Sequence, residues 1–162
     1  MATTNLSEFD KSTVPSGAGM RIGICTAEWN SEITEGLRSG AIQTMLDCGT
    51  ERENILELSV PGSFELPLGA QFLLEHKKVD AVICLGSVIQ GETKHFDFVC
   101  EACAQGVKDV ALKYNRPVIF GVLTDNNMEQ ARARSGGDKG NKGVEAAVTA
   151  LKMVKAQRSL SS

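Results

Sequence analysis

Apolar residues concentrate in four short segments, most of them nearly continuous, each followed by a longer stretch where they recur three or four residues apart. Runs of that length read as buried strands, and the wider spacing as one face of a helix. The first run is Arg21 to Thr26. Ile33, Leu37, Ala41 and Met45 follow it, with Asn30 or Ser31 as N-cap and Gly49 as stop. The second run, Ile55 to Val60, is broken by Pro61 and Gly62. Ser63 can cap a helix reaching about Glu75, in which Pro67 is tolerable only in the first turn. The third, Ala81 to Leu85, leads into a Gly-containing loop, Gly86 to Glu92. Thr93 then caps a long helix carrying Phe96, Val99, Cys100, Cys103, Val107, Val110 and Tyr114. Pro117 opens the fourth run, Val118 to Leu123. Asn126 or Asn127 caps a short helix to Arg134. A Gly-rich turn, Gly136 to Gly143, leads to a last helix with Val144, Val148, Leu151 and Val154.

Strand and helix thus alternate four times, with one helix added. Strands that are apolar throughout are buried on both faces, and alternation with helices implies parallel strands joined by right-handed crossovers. The expected fold class is α/β: a three-layer sandwich with a four-stranded parallel sheet, flavodoxin-like. One domain is expected over residues 20–158, preceded by a polar arm, 1–19, and followed by a short tail, 159–162.

Composition narrows the classes. At 162 residues, 42% hydrophobic and 23% charged, the chain is an ordinary single globular domain and not a disordered one. A net charge of -3 gives no electrostatic footprint for nucleic acid or an anionic membrane. No run approaches the ~18 apolar residues of a membrane helix. The first nineteen residues carry Glu8, Asp10 and Lys11 without an apolar stretch, so they match neither a secretory signal nor a transit peptide. The five cysteines, odd in number and set in apolar surroundings, then read as reduced core thiols of a cytoplasmic protein.

In parallel sheets, ligands bind beyond the carboxyl ends of the strands. The polar and aromatic residues collect there: Glu28-Trp29-Asn30 after the first strand, Gly62 to Glu65 after the second, Gly86 to His95 after the third and Thr124 to Asn127 after the fourth. His95, near a helix start, is a candidate proton shuttle, since imidazole titrates near neutrality. The other reading is a surface histidine in a first turn. His76, beside Lys77 and Lys78, fits a helix C-terminus better. Gly91-Glu92-Thr93 supplies N–H groups and a hydroxyl for an anion. Arg134 and Lys142 flank the Gly-rich turn as possible counter-charges or as solvated surface charges. Trp29 can stack on a flat heterocycle or simply pack. Glu65 can accept from ligand hydroxyls or merely complement a helix dipole. Phe120, within the fourth strand, would ordinarily be core.

Several motifs mislead or are missing. Cys100 and Cys103 form a CxxC in mid-helix, whereas redox pairs stand at an exposed helix start. No second cysteine pair or histidine cluster suggests a metal. No GxxxxGK[ST] or GxGxxG is present. The third strand ends in Leu85-Gly86-Ser87, without the acid of a phospho-accepting receiver, and the first loop, Thr26 to Asn30, is not the phosphate loop of a flavodoxin.

Four segments in one order nevertheless carry a resemblance: Val60-Pro61-Gly62-Ser63-Phe64-Glu65-Leu66-Pro67, Gly86 through Val99, Pro117 through Thr124, and Glu129-Gln130-Ala131 through Arg134 to Gly140-Asn141-Lys142-Gly143. Over roughly Met20 to Arg158 the chain resembles the 6,7-dimethyl-8-ribityllumazine synthase family of riboflavin biosynthesis. The resemblance implies a cofactor-free, metal-free condensation of two small molecules, 5-amino-6-(D-ribitylamino)uracil and 3,4-dihydroxy-2-butanone 4-phosphate. It implies that Trp29 stacks on the pyrimidine, that Ser63, Phe64 and Glu65 bind the ribityl chain and ring edge, and that Ser87, Val88 and Ile89 contact the ring through backbone groups. Glu92, Thr93 and Arg134 would bind phosphate, and His95 would move protons. Phe120 and Lys142 would serve a neighbouring subunit of a homo-oligomer, a pentamer or a 60-subunit icosahedral shell. The arm would add a strand to a neighbour's sheet. Trp29 stands where the family more often has phenylalanine, Ser63 where alanine is frequent and Gln90 where a basic residue is common. A non-catalytic flavin or lumazine carrier on the same scaffold and a thiol-redox protein are the alternatives.

Overall fold

The structure, a computed structural model, describes Asn5 and residues 7–161. Residues 1–4 and 6 of the expected arm, and 162 of the tail, lie outside the described residues. Four parallel strands, β1 (Ile22–Ala27), β2 (Ile55–Val60), β3 (Ala81–Ile89) and β4 (Val118–Asp125), form one sheet in the order β2-β1-β3-β4. The chain starts at β1, steps to β2, then returns past β1 to β3. That reversal opens a crevice between β1 and β3 at the carboxyl end of the sheet.

Alternate strand residues build two cores. Ile22 and Ile24 of β1 and Ala81, Ile83 and Leu85 of β3 point to one face. There they meet Ile33, Leu37 and Met45 of α1 (Ser31–Asp47) and Ala147, Leu151 and Val154 of α5 (Lys142–Leu160). Cys25 and Ala27, with Val82 and Cys84, point to the other face. Leu66, Ala70 and Leu73 of α2 (Leu66–Lys77) and Cys103, Val107 and Val110 of α3 (His95–Tyr114) cover them. Ile24, Leu37, Ile83, Leu85 and Leu151 are wholly enclosed, and each such side chain supplies about 1.5–3 kcal/mol. The three layers expected from the apolar runs are therefore present. α4 (Met128–Ala133) and a hairpin of β5 (Ser135–Gly137) and β6 (Gly140–Asn141) complete the described chain.

Four local expectations are corrected. The stretch from Gly86 is not a loop: β3 continues to Ile89, because its residues pair with Val122 through Asp125 of a β4 that is itself two residues longer than expected. α3 begins at His95, not at Thr93, although Thr93 Oγ1 still accepts from the His95 N–H at 3.3 Å. Asn30 does not cap α1 with its side chain. It adopts a left-handed conformation (φ 59°), its carbonyl accepts from Ile33, and its amide is used elsewhere. The Gly-rich turn contains the β5–β6 hairpin, whose last residue, Asn141, caps α5 by accepting from Gly143 at 2.8 Å.

The described part of the arm folds on its own chain. Ser7 Oγ donates to the Asn141 carbonyl, Lys11–Thr13 makes a single 3-10 turn, and the Gly17 N–H donates to Cys48. No strand occurs among its described residues.

Candidate active site

β1 stops pairing with β3 at Thr26 and Leu85. β3 runs on for Gly86, Ser87, Val88 and Ile89, hydrogen-bonded only to β4. An overhang of this kind bares one edge of a strand, with N–H and C=O groups still needing partners. One of them is met by Asn30, whose Nδ2 donates to the Ser87 carbonyl at 2.8 Å. The amide so ties the loop after β1 to the overhang, with Asn30 in its left-handed conformation. The remainder of the edge faces the crevice. Ser87 Oγ is buried without a partner.

Trp29 stands beside it. The Glu28 and Trp29 N–H groups donate to Val60 and Pro61, extending the β1–β2 pairing and fixing the indole's root. Its ring lies on Gly62, where a β-carbon would come within 2.4 Å of it, so only glycine admits this seat. The indole remains 67% exposed, so it is positioned without being packed away. Next to it Glu65 Oε2 accepts from the Gly62 N–H at 3.0 Å. One carboxylate oxygen therefore closes the turn. Ser63 is buried, with its Oγ where a β-carbon on Gly86 would be, so β3 and the turn after β2 touch through that glycine. Phe64, in contrast, turns outward and is 60% exposed.

Beyond the overhang, Gln90 donates its N–H to the Asp125 carbonyl, and Gly91, Glu92, Thr93, Lys94 and His95 follow, all exposed. α3 thus starts with its unpaired N–H groups directed to the rim, with His95 as its first residue. Arg134 caps the end of α4 and lies beside the tip of β4. Asn127 and Gln130 lock the turn after β4, and Arg134 Nη1 lies 3.7 Å from Asp125 Oδ1 at the tip of β4. Burial pushes the Asp125 carboxyl above its ordinary value, and Arg134 offsets this only in part.

The rim at this end of the sheet so carries Trp29, Ser63, Glu65, Ser87, Val88, Ile89, Glu92, Thr93 and His95, with Arg134 beside the tip of β4. It does not include Phe120 and Lys142. These line a separate cleft of about 300 Å³ on the open side of β4, with Val118, Glu145 and Thr149. Sequence reasoning missed the bond from Asn30 to Ser87 and the contact of Asp125 with Arg134. An acid closing an apolar strand was a visible signal for Asp125; nothing marked Asn30 as anything but a cap.

The cysteines take no part in the rim. Cys103 is buried in the core and its thiol is pushed up to about 12, chiefly by burial, so it is a poor nucleophile. Cys100 is half-buried in mid-helix. No helix among the described residues is long and apolar enough to cross a membrane.

Residues 19–158 match the family model described as 6,7-dimethyl-8-ribityllumazine synthase. The chain is similar to curated proteins that carry this same name. A relative from Flavobacterium johnsoniae is 54% identical over 99% of this chain and 87% of its own length. One from Cytophaga hutchinsonii is 56% identical over 94% of this chain and 96% of its own, and one from Christiangramia forsetii 52% identical over 98% and 96%.

Proposed function

The chain belongs to the 6,7-dimethyl-8-ribityllumazine synthase family, and we propose that it performs the family's reaction with the residues gathered on this rim. The reaction condenses 5-amino-6-(D-ribitylamino)uracil with 3,4-dihydroxy-2-butanone 4-phosphate, giving 6,7-dimethyl-8-ribityllumazine, inorganic phosphate and water. It is the penultimate step of riboflavin biosynthesis.

The observation that carries the assignment of roles is the overhang of β3. A pyrimidine edge alternates donors and acceptors, as does a bare strand edge, and the exposed indole of Trp29 supplies a stacking surface beside it. Ser87, Val88 and Ile89 hold the ring through their backbone. The Ser63–Glu65 turn receives the ribityl chain, with the outer Glu65 oxygen accepting from a hydroxyl. The start of α3 receives the phosphate on the Glu92 and Thr93 N–H groups and the Thr93 hydroxyl, and Arg134 supplies the counter-charge.

The chemistry then needs few further groups. The 5-amino nitrogen attacks the ketone and water leaves to form an imine. Phosphate departs as an anion, stabilised by Arg134 and the helix start. The ribitylamino nitrogen closes the ring, and a second dehydration finishes it. His95 carries protons between these steps. Holding two reactants in register supplies much of the acceleration. No cofactor is invoked.

Two features support a homo-oligomer. Phe64, Leu68 and Phe72 lie four residues apart along one exposed stripe, with Phe98 exposed on α3. Phe120 and Lys142 sit at the sheet's open edge, away from their own rim. In this reading copies of the chain cover the stripe, and Phe120 and Lys142 complete a neighbour's site, in a pentamer or a larger shell located in the cytoplasm.

The test is to mix the two substrates with pure protein and follow lumazine fluorescence and phosphate release together. Equal yields of both products are expected. Protein that binds a lumazine yet releases no phosphate would be a carrier, and the reading would fall.

A further inference from the structure

Arg134 and Lys142 flank the β5–β6 hairpin, and the Lys142 N–H donates to the Arg134 carbonyl at 2.9 Å. The backbone between them has little of its own to hold it. Gly136, Gly137 and Gly140 lie there, and Gly136 (φ 120°) and Gly140 (φ 90°) take conformations that favour glycine. The ladder is three residues against two, with an irregularity between Ser135 and Gly137, and a hairpin so short is not stable alone. What fixes this segment comes from outside it.

Asn141 is where the outside bonds arrive. Its side chain donates to the Gly36 carbonyl of α1 at 2.9 Å and accepts from the Gly143 N–H at 2.8 Å. Its backbone N–H and carbonyl are both taken by one hydroxyl of the arm: Ser7 Oγ accepts from the first and donates to the second, the latter at 2.9 Å. β6 pairs with β5 alone among the described strands, so Ser7 supplies the partner that the other edge of Asn141 would lack. The arm is shaped for this contact. Asn5 Oδ1 accepts from the Ser7 N–H at 2.9 Å and the Asn5 carbonyl from the Glu8 N–H, a turn closed by an asparagine side chain. Gly140 admits it: a β-carbon there would come within 2.1 Å of Asn5 Oδ1 and 2.5 Å of Ser7 Oγ. The bond spans 134 positions of sequence, and it ties the arm to the one segment that joins both cations.

We propose that Ser7 is a positioning residue for the condensation, its hydroxyl pinning Asn141 and so setting the hairpin from whose two ends Arg134 and Lys142 project. Lys142 is the next residue along the chain, and Arg134 is one backbone hydrogen bond beyond it. A hairpin left free would have to be ordered each time substrate binds, which costs affinity and not turnover. The proposal rests on the phosphate-binding role assigned above to Arg134.

Hydrogen exchange over residues 135–142 and initial rates of the assembled protein test it. Ser7→Val removes the hydroxyl, and Ser7→Thr keeps it at nearly the same volume. In Ser7→Val, exchange at the Asn141 and Lys142 amides should quicken roughly fivefold, the equivalent of one ordinary hydrogen bond. KM for the butanone phosphate should rise by about the same factor, with kcat per folded molecule nearly unchanged. Ser7→Thr should keep the parent's values in both measurements. In an Arg134→Ala background, Ser7→Val should still quicken exchange and leave KM where Arg134→Ala alone puts it. The proposal is overturned if the valine and threonine variants behave alike, if Arg134→Ala raises the phosphate KM and Ser7→Val does not, or if the two effects on KM multiply. An Arg134→Ala variant with unchanged phosphate KM would overturn the parent assignment and this proposal with it.

Discussion

Arg38 and Arg134 each meet a carboxylate that projects from a strand, Glu57 of β2 and Asp125 of β4, but the two contacts are built to opposite ends. Glu57 uses both oxygens: Arg38 Nε donates to Oε1 and Arg52 Nη2 to Oε2 at 3.0 Å, while Arg38 also reaches Glu35. The hydrogen bond from Arg38 is the main reason the Glu57 carboxyl lies below its ordinary value. Asp125 uses one oxygen, at 3.7 Å, and burial holds its carboxyl above the ordinary value. The first group is satisfied and fastens α1 to the edge strand. The second leaves a guanidinium with donors to spare where an anion is expected. A polar group left incomplete inside a fold points to something the fold is waiting for.

The comparison breaks most visibly in kinetics. Arg134→Ala should lower kcat/KM for the phosphate substrate roughly a hundredfold, the loss of one or two charge-assisted hydrogen bonds. Arg38→Ala should leave steady-state kinetics unchanged. If both variants behave alike, the distinction drawn between the two pairs is wrong.

His95→Ala should act next. Because His95 is exposed and water reaches the rim, its loss should cost about thirtyfold in kcat, below the hundredfold or more of an enclosed acid–base group, with assembly intact by size-exclusion chromatography.

Stability against pH sharpens the contrast further, because the two acids have opposite signs. Glu57 is depressed in the folded chain, so its contribution is complete above the unfolded value of about 4.3 and is lost as pH falls through the folded value. Glu57→Gln should therefore be less stable than the parent near neutrality, by about 1 kcal/mol or less for so accessible a pair. Asp125 is raised, so its ionised form destabilises the folded chain above that value; the penalty disappears as pH falls towards about 3.9. Asp125→Asn should thus match or exceed the parent's stability at neutral pH. Denaturant melts at several pH values would show both differences shrinking in acid, from opposite sides.

The smallest effect belongs to the thiols. A Cys100→Ser/Cys103→Ser double variant should retain the parent's turnover per folded molecule, measured in the same fluorescence assay; loss of turnover in well-folded protein would revive the redox reading.

The sheet was readable because its signal is strong. Continuous apolar runs such as Ala81–Leu85 can only be strands covered on both sides, and their alternation with helices left little freedom of topology. The end of β3 was not readable. Gly86 and Ser87 look like a loop when taken alone, and only pairing with β4, thirty-six residues away in register, makes them strand. Much of the proposed site is drawn from residue types clustered at strand ends in the sequence: His95, Arg134, Trp29 and the Gly91–Thr93 segment. The contacts of Asn30 with Ser87 and of Asp125 with Arg134 escaped because they join separate loops. The spacing of Phe120 and Lys142 gave no hint that they would gather at the sheet's open edge.

A crystal structure of the protein with a ribitylated pyrimidine analogue and inorganic phosphate bound together tests the central claim most directly. It should place the pyrimidine edge on the backbone of Ser87–Ile89 under the Trp29 indole, with phosphate at the Thr93 N–H and Arg134. A pyrimidine seated away from the β3 overhang, or phosphate bound without Arg134, would contradict the account.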